Sequence, residues 1–117
     1  MPLALSRSEA FDDLVGSAVG RLQRRWAQEL GAIEVAVEDV PDPDVLTESD
    51  GGPVAMRLGR SEAATEDRAA RIVVHRRAVE SRSRGHRARE VLVHEVVVEL
   101  LADLLGLDPA VVDPDEE

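Results

Sequence analysis

An α+β fold is what this chain predicts, from three stretches with different hydrophobic periods. Residues 8–30 carry an apolar stripe at helical spacing, residues 33–38 alternate apolar with polar, and residues 86–105 form a second helical run that is apolar on most of its circumference. A one-striped helix, a one-faced strand and a helix apolar nearly all round can close a core together, the last of them at its centre. One domain is expected over 1–117, with a core of about 8–108 and an acidic tail at 109–117, because a chain of this length buries one modest core.

Ser8 is the expected N-cap of the first helix. Asp12 and Asp13 lie near its positive end, and Arg21, Arg24 and Arg25 come late. Phe11, Leu14, Val15, Ala18, Val19, Leu22, Trp26 and Leu30 recur at steps of three and four, and Gly31 stops the helix. Ile33, Val35 and Val37 then alternate with Glu34, Ala36 and Glu38, as on a strand with one buried face. Pro41 to Pro53, with its prolines, paired glycines and acids, reads as a loop. Val54–Leu58 is a candidate short strand, 61–70 a polar connection with weak helical tendency, and Arg71–Val79 a further strand broken by Ser81–Gly85. A small sheet of three or four strands follows. The last helix runs from His86 or Arg87 to about Leu105 and stops at Gly106.

Composition removes several function classes. With no cysteine, the chain has no disulfide framework, no thiolate zinc site and no cysteine nucleophile, which suits a reducing cytoplasm. Met1-Pro2-Leu3-Ala4-Leu5 is too short and uncharged for a signal peptide, and no apolar run is long enough to cross a bilayer, so a cytoplasmic protein with no membrane partner is expected. Phe11 and Trp26 are the only aromatics, and the net charge is −10, a combination that disfavours nucleic acid as a partner. The charge is uneven: eight arginines lie between Arg68 and Arg89, and none follows. That block could form an anion-binding module. Its simpler role is to neutralise the chain's own acids, Glu95, Glu99 and Asp103 among them, which sit at successive four-residue steps on the last helix. No G-x-S-x-G elbow and no phosphate-binding glycine loop is present.

The chemistry-bearing motif is His94-Glu95 within Val91-Leu92-Val93-His94-Glu95-Val96-Val97-Val98-Glu99-Leu100. In an H-E-x-x-H helix, two histidines one turn apart hold zinc, and the glutamate activates the metal-bound water. Here the second histidine position is Val98. Together with Phe11–Val15, Ile33–Pro41 and Arg71–Arg77 in that order, this helix resembles a small family of bacterial, especially actinobacterial, zincin-like metallopeptidases, over roughly residues 9–108. The resemblance implies a zincin-like fold in which the C-terminal helix carries the site, with His94 as a metal ligand and Glu95 as the general base. It also implies an acidic third ligand near the position of Leu104, whereas the glycine expected nearby comes later, at Gly106.

With valine and leucine in two ligand positions, His94 and Glu95 are expected to be vestigial and no cofactor is expected. The chain then reads as a catalytically inactive relative, a pseudoenzyme that binds a protein or peptide as a scaffold. A zinc-dependent metallopeptidase with an unorthodox ligand set is the alternative, and zinc would be its cofactor. His75 and His86 are the remaining histidines; the expected places are a half-exposed strand position and the start of the last helix.

Overall fold

The computed structural model describes residues 7–39 and 58–114. Helix α1 (Arg7–Gly31) leads into strand β1 (Ile33–Glu38); strands β2 (Gly59–Glu62) and β3 (Ala70–His75) follow. Three helices complete the chain: α2 (Arg76–Ser81), α3 (His86–Leu105) and the short α4 (Pro109–Val112). The sheet has the order β1-β3-β2. β1 runs parallel to β3, from Ile33 opposite Ala70 to Glu38 opposite His75, and β2 runs antiparallel, from Gly59 opposite Val74 to Glu62 opposite Arg71.

Strand alternation assigns the two sheet faces. Ile72 and Val74 join the core on one face, with Ile33, Val35 and Val37 packed against it. The core is completed by Phe11, Leu14, Val15, Ala18 and Leu22 of α1 and by Val93, Val97 and Leu101 of α3. α3 has buried residues around much of its circumference, which is the reason its sequence is apolar on nearly every side. The opposite sheet face is polar: Arg60 of β2 reaches Glu38 of β1 and His75 of β3, and Arg71 of β3 lies near Glu34 and Glu62.

Several boundaries differ from the sequence expectation. α1 begins one residue before Ser8, so Ser8 lies inside the helix, and the helix is interrupted at Trp26, whose backbone leaves helical geometry at φ −119°, ψ 30°. The candidate strand at 54–58 lies almost wholly outside the described residues. The strand that is described begins just after it, at Gly59, and takes in Ser61 and Glu62; Thr65 caps a tight turn beyond it, accepting from the amides of Asp67 and Arg68. β3 stops at His75, and Arg76 to Ser81 are helical instead of extended. The reason is burial: an extended chain would put Val79 on the polar face with Val73 and His75, whereas the helix rotates it into the core, where it is fully buried. Arg76 secures that turn, with Nε 2.8 Å from Asp39 and a guanidinium nitrogen 3.2 Å from Glu80 one turn on.

α3 matches its expected span, and Gly106 closes it in the left-handed conformation (φ 69°), with Leu107 N–H returning to the Ala102 carbonyl. The segment expected as a tail then folds back. Asp108 caps α4 by accepting from Ala110 N–H, Pro109 occupies its first turn, and Val112 is buried while Val111 is exposed. No helix among the described residues is long and apolar enough to cross a membrane.

Candidate functional site

α3 carries His94 and Glu95 into a pocket of about 770 Å³ between the second half of α1, α3 and α4. Val91, Val98 and Pro109 supply apolar lining, Glu95 and Glu99 line one side, and Arg21 and Asp113 complete the wall. Val98 lies one turn beyond His94, about 40° away around the helix, so the two share a face. It is 7% exposed and belongs to the core cluster, as a valine in that position should.

His94 itself meets an unanticipated partner. Its Nε2 lies 2.6 Å from Oδ2 of Asp113, whose carboxylate is brought there by α4. A carboxylate accepts, so Nε2 carries the hydrogen of this bond; Nδ1 is buried and has no hydrogen-bond partner among the described residues. α4 is held from the other side by Trp26, whose indole N–H donates to the Val112 carbonyl at 2.8 Å. The break in α1 at Trp26 and the fixing of the C-terminal segment therefore occur at one residue. Sequence reasoning missed Asp113, although Gly106 followed by Asp108-Pro109 is a helix stop, a cap and a first-turn proline, and it signals that the chain restarts and turns back.

The other sequence candidates lie elsewhere. Leu104, the position expected for an acidic ligand, is packed against the core, and the carboxylate beside His94 is Asp113. His86 is the exposed first residue of α3. His75 is fully buried, which corrects the half-exposed position expected for it: its Nε2 lies 3.0 Å from an Arg60 guanidinium nitrogen, and because arginine can only donate, Nε2 is the acceptor. Neither histidine lines the pocket that holds His94.

Two arginines of the block pair with acids of the chain, and with different acids from those expected: Arg71 with Glu34 and Glu62, and Arg76 with Asp39 and Glu80, while Arg89 bonds Ser83. The hydrogen bond from Arg76 holds the Asp39 carboxyl below its ordinary value, and the one from Arg60 does the same for Glu62, in each case outweighing burial. On α3, Glu90 pairs with Arg21 at 3.1 Å and Asp103 accepts from the Ser61 hydroxyl, while Glu95 and Glu99 are exposed and have no ion-pair partner among the described residues.

Compared with known proteins, residues 30–116 match the family model of zincin-like metallopeptidases. This chain belongs to that family. The match takes in the sheet, α3 and Asp113 and leaves most of α1 outside it. No curated protein matches the chain. Zinc, for which zincins are named, needs three protein donors around an open position in a catalytic site. The described residues of this zincin-like chain bring together His94 and Asp113, and they contain no group of three or more His, Cys, Asp or Glu side chains placed to hold one ion. Among the described residues the donor set falls short of a catalytic zinc.

Proposed function

We propose that this member of the zincin-like metallopeptidases is catalytically inactive and uses the pocket along α3 to bind a protein or peptide segment. The observation that carries the proposal is the environment of His94: its Nε2 donates to Asp113, and the side chain one turn on is the buried Val98. Zinc would have to displace that hydrogen and break the bond to Asp113, and valine has no lone pair to offer as a further donor. Glu95 is vestigial in the same sense. A general base in this chemistry works on metal-activated water, and the described residues around Glu95 include no group of three donors to hold that metal. What remains suits binding: a concave surface with apolar lining, a polar rim and a helix whose position is fixed by the core.

The test is elemental analysis of the dialysed protein with a peptidase assay alongside. Substoichiometric zinc and no metal-dependent hydrolysis are expected. The juxtaposition of His94 and Asp113 favours a second reading, a peptidase that holds zinc through these two donors and one more. About one zinc per chain, with hydrolysis abolished by Glu95→Gln, would establish it and remove the first.

A further inference from the structure

We propose that the pocket along α3 selects a cationic segment of a partner protein, a lysine or arginine side chain flanked by apolar residues; this rests on the peptide-binding reading above. The apolar component is Val91, 48% exposed on a helix that otherwise buries its large apolar side chains well, continued by Val98 and Pro109 in the same pocket. An exposed valine that leads into a lined depression is a surface that loses water when an apolar side chain covers it.

Charge decides what accompanies that apolar side chain. Glu95 and Glu99 stand one helical turn apart on the rim, exposed, and with no ion-pair partner among the described residues, so each carboxylate raises the cost of the other. Asp113 is engaged with His94, and Arg21, the one arginine among the described lining residues, is paired with Glu90. Among the described residues the rim thus presents two negative charges without an ion-pair partner. The whole chain, at −10, adds a field of the same sign that draws cations in and repels nucleic acid, anionic membrane and acidic peptides. At about 770 Å³ the pocket has room for more than one side chain, which suits a peptide segment better than a lone ion.

The experiment uses the full, isotope-labelled chain and three short peptides of one apolar pattern that carry lysine, serine or glutamate at the same positions. The lysine peptide is expected to shift the backbone amide resonances of residues 91–99 and 113, and to bind more weakly as salt rises from about 0.05 to about 0.5 M. Glu95→Gln with Glu99→Gln should weaken it about tenfold, roughly threefold per carboxylate. Asp12→Asn with Asp13→Asn, which removes the same charge from an exposed part of α1, should leave binding unchanged. If the serine peptide shifts the same amides with equal affinity, the cation preference is wrong and the peptide-binding reading survives. Equal loss of affinity in both double variants would reduce the effect to net charge and overturn the proposal. If no peptide moves these amides, both readings fail.

Discussion

Val98 is where one residue decides between two histories of the site. It packs in the core with 7% of its surface exposed, yet it also lines the pocket one turn from His94. Val98→Asp should cost about 2–4 kcal/mol, because it removes buried methyl groups and puts a charge where water reaches poorly; the melting temperature checks it. Val98→His asks the converse question. It adds an imidazole beside His94, and with Asp113 already in place Leu104 need not change. The variant should therefore gain thermal stability with added zinc, since a ligand that binds only the folded state stabilises it by mass action. The wild type should show no such gain. A variant that folds and shows no shift would mean that Asp113 and the new imidazole do not converge on one ion. His94, Glu95 and Val98 are legible in sequence because helical periodicity alone places them on one helix and, for His94 and Val98, on one face. Asp113 is not, because its place depends on where Gly106 turns the chain. The Arg60–His75 contact is equally hidden, since it depends on the register between β2 and β3.

The elements show why local pattern succeeds for some and fails for others. α1, β1 and α3 each carry a long or regular pattern, and their spans were readable to within a residue or so. The first part of α2 has the sequence of a strand, because Arg71–Val79 has strand-like composition; the helix there serves Val79, whose burial is a tertiary fact. β2 has almost no apolar signal in Gly59-Arg60-Ser61-Glu62, and glycine there answers to space: a Cβ on Gly59 would lie 2.6 Å from the Val73 carbonyl oxygen and 2.8 Å from Leu100 Cδ1. Gly59→Ala should consequently push β2 away from α3 at a cost of about 1–3 kcal/mol, read as a lower denaturant midpoint at unchanged slope. At the other end of the pocket, Trp26→Phe keeps most of the aromatic packing but removes the donor to the Val112 carbonyl. The loss should be about 1 kcal/mol. Because that bond holds α4, hydrogen exchange should accelerate at the amides of Val111, Val112 and Asp113 more than in α3; uniform acceleration would show that Trp26 serves global stability alone.

At the scale of the whole molecule, two electrostatic effects oppose each other as pH falls. At pH 7 the chain carries −10, and protonating exposed carboxylates on the way to the isoelectric point near 4.7 relieves self-repulsion, so stability should hold or rise over that range. Below it the polar sheet face works the other way. Glu62 and Asp39 have folded-state values below their ordinary 4.5 and 3.8, because Arg60 and Arg76 donate hydrogen bonds to them. The unfolded chain therefore binds protons at a pH where the folded chain does not, and the stability these groups contribute, present above their ordinary values, is lost as pH falls through the lowered ones. The melting temperature should peak near the isoelectric point and drop below about pH 4. Arg60→Met isolates the cause. Without the guanidinium Glu62 returns toward its ordinary value, so the variant should be less stable at neutral pH and show a shallower acid limb, with the two curves converging at the lowest pH. An Arg60→Met acid limb as steep as the wild type's would mean that the growing positive charge below the isoelectric point causes the loss and that the Arg60 network contributes little to it.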